Sequence, residues 1–239
     1  MQPELPDRLA ALPFFHGADP ALLSGFDRQA SWRSCGPGDV LLDFEDRSTE
    51  VQFVVSGLAR VIIRTPSGRE MILADLAAGE LFGEIAAIDG RPRSANVTAI
   101  TRSRICALPA ATFLAIIHAV PPVCDRLLRL LAAKLRLQTE RALERDALSV
   151  RLRLCAELLR LSREQRGKVS SEAPRIVSPP PPQHELAARI GARREAVSRE
   201  MTELSREGLL ARTGGGILLP QPRVLRALID AGIRDGPDP

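Results

Sequence analysis

"QHELAARIGARREAVSREMTELSREGLL", from Gln183 to Leu210, consists of two short amphipathic stretches on either side of one glycine. In the first, Leu186, Ala187 and Ile190 share a helical face, and Gly191 supplies the tight turn that lets two helices meet steeply. In the second, Val197, Met201 and Leu204 recur at i, i+4 and i+7 and face inward, leaving Arg193, Arg194, Glu195, Ser198 and Arg199 outward. The pattern predicts a helix-turn-helix, and "GLLARTGGGILL", from Gly208 to Leu219, reads as a hairpin wing behind it. Residues near the start of such a second helix meet base edges in the major groove. Arg suits guanine O6 and N7, Glu accepts from cytosine N4, and Arg212 in the wing lies near a phosphate. The plainer reading is a helical hairpin with solvated charges. The turn glycine, the outward Arg-Arg-Glu…Arg row, the wing and a basic second half together favour double-stranded DNA as the partner.

Charge is unevenly spread. From Pro121 onward there are 22 Lys and Arg against 15 Asp and Glu, and before it 11 against 14, so a net +7 follows a net −3 within the overall +4. A basic half suits a polyanion. All but Lys134 and Lys168 of these cations are arginine. A chain of 239 residues, 45% apolar and 26% charged, has ordinary globular composition and room for two domains. No apolar run is long enough to span a membrane, and "MQPELPDRLAALPFF" lacks the basic-then-apolar order of a secretory signal. A cytoplasmic protein without a membrane partner is expected. Cys35, Cys106, Cys124 and Cys155 are scattered, with no metal-ligand spacing, so no metal site is expected. His16, His118 and His184 lack partner motifs, and no nucleophile elbow, P-loop or carboxylate pair is present, which argues against an enzyme.

Working outward, residues 5–30 read as short helices broken by Pro13 and Pro20. From Trp32 to Leu108, short β-branched runs between turn signals such as Gly36-Pro37-Gly38, Ser56-Gly57, Pro66-Ser67-Gly68 and Ala78-Gly79 predict a barrel or jelly roll. Helical periodicity then runs from Pro122 through Leu161 without internal Gly or Pro. Cys124, Leu128, Leu131 and Leu135 form a seam for a second copy of the chain, which turns polar at Gln138. A second stripe, through Leu127, Leu130 and Leu137, faces elsewhere, toward the barrel. Gly167 to Pro182 is a stiff, exposed connector. The expected domains are 1–120, 121–162 and 163–239.

Inside the β-rich part, "LFGEIAAIDGRPRSANVTA", Leu81 to Ala99, sets one acid and two arginines around a small-residue helix signal. It is either a solvated loop or a seat for a small anion.

A β domain, a long helix and a winged helix-turn-helix in this order resemble the catabolite-activator/fumarate-nitrate-regulator (CRP/FNR) family of bacterial transcription factors. "SGLARVIIRTPSGREMILADLAAGELFGE" is close to that family's strand–turn–strand entry to the nucleotide site, and "RREAVSRE" matches its recognition helix, with Arg194, Glu195 and Arg199 in the reading positions. Pro182 departs from the Thr or Ser usual at that cap. The resemblance implies an α+β fold: an N-terminal β jelly-roll cyclic-nucleotide-binding domain, a long dimerisation helix and a C-terminal winged helix-turn-helix. It also implies a homodimer on palindromic DNA, with RNA polymerase as a further partner.

Phe82, Gly83, Glu84, Ile85, Ala86, Arg93, Ser94 and Ala95 are similar to the phosphate-binding cassette of cyclic-nucleotide-binding domains. The chemistry agrees: a guanidinium fork and backbone N–H groups suit a cyclic phosphodiester, and a carboxylate accepts from a ribose 2′-OH. Gly83 and Ala95 keep the backbone close, and the Ser94 hydroxyl reaches phosphate or base. Replacing Arg93 with alanine is expected to remove ligand response while leaving the fold intact. By the family alignment, Gln138 and Thr139 reach the purine. An amide both donates and accepts, so the ligand is cAMP or cGMP; Gln138 as a register-setting seam residue is the plainer alternative. The alternative function is a regulator of the same fold that binds DNA without a nucleotide or senses another ligand.

Overall fold

The computed structural model describes residues 7–65, 68, 70–164 and 173–235, which leaves out Pro66, Ser67 and the first part of the expected connector. The chain divides into two compact units, 1–134 and 135–239.

In the first unit, 3-10 turns at Leu9–Ala11, Pro13–Phe15 and Asp27–Gln29 flank α1 (Pro20–Ser24), as the prolines predict. Then come β1 (Ser31–Cys35), β2 (Val40–Leu42), β3 (Val51–Ser56), β4 (Leu58–Arg64), β5 (Glu70–Ala77) and β6 (Leu81–Phe82). After them follow α2 (Glu84–Asp89), β7 (Asn96–Ala99), β8 (Ser103–Leu108), α3 (Ala110–Ala119) and α4 (Pro121–Ala147). The strands form two antiparallel four-stranded sheets, in the orders β1-β8-β3-β6 and β2-β7-β4-β5, which is the expected jelly-roll arrangement.

Strand β3 shows how the period-2 pattern builds two cores. Val54 joins Leu42, Phe82, Val97 and Ile105 in one core, while Val51, Phe53 and Val55 point the other way. There they meet Phe14, Phe15, Phe113 of α3 and Val123 and Leu127 of α4. Gln52 shares the strand and is 3% exposed, yet both ends of its amide are used: Nε2 donates to Leu41 O and Oε1 accepts from Arg33.

The seam on α4 differs from its expected register. Cys124 and Leu131 pack against the first unit's core, together with Leu130, while Leu128 and Leu135 are 58% and 69% exposed. The apolar line left open runs through Leu128, Ala132, Leu135 and Leu143. The reason is angular: the expected seam and the barrel-facing stripe are adjacent on the helix, and the barrel takes residues from both.

The second unit contains the end of α4, α5 (Val150–Leu161), β9 (Arg163–Glu164), β10 (Arg175–Val177), α6 (Gln183–Ile190), α7 (Arg194–Arg206), β11 (Ala211–Thr213), β12 (Gly216–Leu219) and α8 (Pro222–Asp235). Its sheet order is β11-β12-β10-β9, with β11 and β12 as the wing. Three expectations change here. The long helix stops at Ala147, because Leu148 turns inward to 5% exposure and the Ser149 hydroxyl accepts from Leu152 N to cap a new helix. The connector contains a strand, β10, bonded to β12 and β9. Helix α8 follows the wing where the sequence suggested no element, and Leu225 and Ile229 reach the core formed by α5, α6 and α7.

One backbone conformation invites a test. Glu45 has φ of 66°, a region that costs an L residue with a Cβ roughly 1–2 kcal/mol. Glycine avoids that cost but loses about 0.4–1 kcal/mol through the entropy of the unfolded chain. Glu45→Gly is therefore expected to raise stability by about 0.5–1 kcal/mol, read as a higher Tm in calorimetry; a lower Tm would show that the Glu45 side chain contributes more than its strain.

Candidate ligand pocket and nucleic-acid interface

In the first unit the cassette is built around Gly83, whose φ of 81° only glycine adopts at little cost. A Cβ there would lie 2.7 Å from Arg93 Nη1 and 2.8 Å from Glu50 O, so the missing side chain leaves room for the guanidinium. Arg93 is 3% exposed. Its Nη1 donates to Gly83 O at 2.9 Å, Nη2 to Glu50 O at 2.8 Å and Nε to Ser48 Oγ at 3.1 Å. The main chain is pinned as well: Arg93 N donates to Asp46 O, and Glu45 N donates to Arg93 O. Burial lowers the Arg93 pKa, and the charges of Asp46, Glu50 and Glu84 oppose that shift. Hydrogen bonds from Ser48 hold the Asp46 carboxyl below the usual carboxylate range.

This geometry revises the expectation that Arg93→Ala leaves the fold intact. The side chain ties the segment before β3 to the start of α2, so its loss strands Glu50 O and leaves Gly83 O with only the longer bond from Ala87 N.

Glu84, at the first position of α2, is 2% exposed, and its Oε1 accepts from Lys134 Nζ at 2.8 Å. Lys134 comes from α4 and its side chain is 40% exposed. The sequence did offer a sign of it: Lys134 is one of two lysines among 33 cations and stands one helical turn before Gln138. Ser94 and Ile85 are exposed, Ala95 is half-buried, and Ala86 turns inward to 3% exposure. Gln138 and Thr139 are exposed on α4 in the second unit, where Thr139 Oγ1 donates to Leu135 O at 3.0 Å.

A carboxylate and a guanidinium, both buried at one helix start, are the two groups that a ribose hydroxyl and a phosphodiester call for. Among the described residues no three His, Cys, Asp or Glu gather to hold a metal ion. Burial pushes the Cys106 thiol up to about 12 and the Cys155 thiol to about 11, so neither is a ready thiolate.

In the second unit, Leu186, Ala187, Ile190, Val197, Met201 and Leu204 enter one core, as their spacing predicts. Gly191 ends α6 with φ of 65°, and Arg193 begins α7 as its cap. Pro182 caps α6 without a side-chain bond; its carbonyl accepts from Glu185 N and Leu186 N. Arg193, Arg194, Glu195 and Arg199 are exposed and Ser198 is half-buried. Arg194, Glu195, Ser198 and Arg199 line one groove, joined there by Gln183 and Thr202. An adjoining cleft of about 490 Å³ brings Arg194 together with Arg212 of the wing, Gln183, His184 and Thr213. Neither opening includes Arg193 among its lining residues. Gln183 and His184 were missed because their place depends on the wing folding back beside α6. No single described helix is long and apolar enough to cross a membrane.

Comparison with known proteins identifies both domains. Residues 32–119 match the family model of the cyclic nucleotide-binding domain, and residues 152–228 match that of the Crp-like helix-turn-helix domain. The chain is 36% identical over 211 residues to the cyclic AMP receptor protein of Thermus thermophilus, covering 85% of this chain and 90% of that one. Among solved structures, a CRP/FNR-family transcriptional regulator from Thermus thermophilus superposes with a TM-score of 0.63 at 26% identity, over 84% of this chain and 98% of that one. A CooA variant from Carboxydothermus hydrogenoformans shares the fold, with a TM-score of 0.71 at 20% identity over 84% and 88% of the two chains. The relatives are regulators rather than enzymes. With both domain types matched in order and a relative aligned over most of its length, the chain belongs to the CRP/FNR family of bacterial transcription regulators.

Proposed function

We propose that this chain is a cytoplasmic, homodimeric transcription factor whose binding to palindromic DNA is gated by cAMP or cGMP. One observation carries the reading: the buried Glu84 carboxylate is paired with Lys134 of α4, and buried Arg93 lies beside the same helix start. A ligand hydroxyl on Glu84 shares the carboxylate with Lys134, so occupancy is felt on α4. The ribose 2′-OH donates to Glu84, and the phosphate competes for Arg93, three of whose five N–H groups are directed at protein acceptors. Gly83 and Ala95 form the floor, Ile85 and Ala86 continue the cassette helix, and Ser94 is free to reach phosphate or base. The family resemblance assigns the base edge to Gln138 and Thr139.

The exposed line Leu128, Leu135 and Leu143 supports pairing of α4 with a second copy. Paired recognition helices present Arg194, Glu195, Ser198 and Arg199 to base edges one DNA turn apart, with Arg193 and Arg212 toward the backbone. RNA polymerase is the partner of the DNA-bound form. The nucleotide must bind the DNA-competent state more tightly than the other, or it shifts nothing.

Isothermal titration with cAMP and with cGMP, followed by operator-binding anisotropy with each, tests the proposal. One of the two should bind and strengthen operator binding by about 100-fold, within the usual range of coupling energies. No heat with either nucleotide, together with nucleotide-independent DNA binding, would establish the alternative of a regulator that needs no cyclic nucleotide.

A further inference from the structure

The joint between α4 and α5 consists of Leu148 and Ser149 alone, and a two-residue break between helices is by itself a swivel. Around it lies a set of charges that the proposed function does not use. Glu157 of α5 is 1% exposed. Its Oε2 accepts from Arg160 Nη1 at 2.5 Å and from Arg141 Nη2 of α4 at 3.4 Å, while its Oε1 faces Arg189 Nη1 of α6 at 3.7 Å. The other arm of Arg160 returns to α4, where Nη2 meets Glu144 Oε1 at 2.6 Å. Arg141–Glu157 and Glu144–Arg160 thus make two ties across the joint, linked through Glu157–Arg160, and Arg189 attaches this network to the first helix of the helix-turn-helix.

We propose that Glu157 is a positioning residue that locks the end of α4 to the helix-turn-helix, making the α4–α5 joint rigid and fixing the angle at which α7 is presented. Three guanidiniums share two carboxylates in a site where Glu157 and the Arg189 side chain are at most 4% exposed. Opening the joint would leave one of these charges buried without its partner, which costs far more than the pair itself is worth. Among the described residues Glu157 Oε1 accepts no hydrogen bond and is balanced by the Arg189 charge at 3.7 Å, so the carboxylate depends on the helices keeping their places.

Helix α8 also packs on the joint. A Cβ on Gly232 of α8 would lie 3.0 Å from Leu148 Cδ2 and 2.4 Å from Leu152 Cδ1, so α8 lies directly on the joint residues. All of these residues belong to the second unit.

The consequence for recognition rests on the DNA-binding reading above; the rigidity does not. Arg141→Gln removes one of the two ties from α4, leaving the Arg160–Glu144 pair and Glu157 with Arg160 and Arg189, whereas Glu157→Gln removes the centre. Hydrogen exchange on the full chain should show amides of residues 142–152 exchanging about tenfold faster in both variants, with α7 unchanged and Arg141→Lys close to wild type. Unchanged exchange overturns the proposal, and so does equal acceleration throughout the unit, which would mean general destabilisation. On DNA, moving the half-sites one base pair apart should cost the wild type roughly thirtyfold and Arg141→Gln under about fivefold. An identical spacing penalty in both would overturn the link to recognition. A wild type that binds no operator at all would instead count against the DNA-binding reading, and the exchange result would still decide the lock.

Discussion

Arg93→Ala is expected to reduce nucleotide affinity by at least about 100-fold and to abolish nucleotide-dependent operator binding, since a charge-assisted bidentate contact has no substitute in the cassette. The same change should lower the stability of the ligand-free protein. Glu50 O loses its donor, which costs about 1–3 kcal/mol, or several degrees in Tm, while Gly83 O keeps its bond from Ala87 N. Arg93→Lys separates the two effects. It keeps the charge but cannot span two carbonyls and a hydroxyl, so part of the stability should return while affinity stays low. Calorimetry on the three proteins, each with and without nucleotide, measures both. Wild-type nucleotide affinity in Arg93→Ala would remove the residue from the site and leave it a purely structural role.

Leu135→Glu is expected to convert the proposed dimer to a monomer at micromolar concentration and to weaken operator binding by at least about 100-fold, because each half-site is then held alone. Leu135 is 69% exposed within its own chain, so the substitution removes little intrachain packing. In a dimer the leucine on each copy would contribute about 1.5–3 kcal/mol by burial, and two facing glutamates would oppose association further. Sedimentation equilibrium gives the oligomeric state, and far-UV circular dichroism should match the wild type. Persistence of a wild-type dimer would mean that another surface makes the interface. Leu131→Glu provides the contrast: Leu131 packs against the first unit's core, so that variant should lose fold stability along with any effect on pairing.

Much of the fold was legible in the sequence because periodicity reports burial directly. Leu186, Ala187, Ile190, Val197, Met201 and Leu204 were assigned inward by spacing alone, and all six share one core. In β3 the sequence predicts only a strand, and the structure sorts Val51, Phe53 and Val55 to one core and Val54 to the other. Periodicity failed where two demands meet on one helix. The expected seam on α4 ran through Cys124 and Leu131, but the barrel claims both, since spacing does not say which neighbour an apolar face will meet. The apparent 40-residue helix broke at Leu148 for a related reason: a leucine suits a helix and a buried corner equally, and α8, whose Gly232 approaches it, had not been expected.

The candidate site divides the same way. Gly83, Glu84, Arg93 and Ser94 stand out through their resemblance to a phosphate-binding cassette, with which their chemistry agrees, while residue type and spacing alone leave a solvated loop open. What holds Arg93 was invisible: Ser48 and Glu50 are more than forty residues away, and Glu50 acts through its backbone carbonyl, which any residue has. By itself the sequence determined the order of the domains, the inward faces of the helices and the identity of the charged groups, since these depend on local pattern. Only the tertiary structure decided which of those charges meet. Lys134 reaches Glu84, and Glu157 gathers Arg141, Arg160 and Arg189, because burial makes an unpaired charge too costly to leave and the fold alone determines which partner is near.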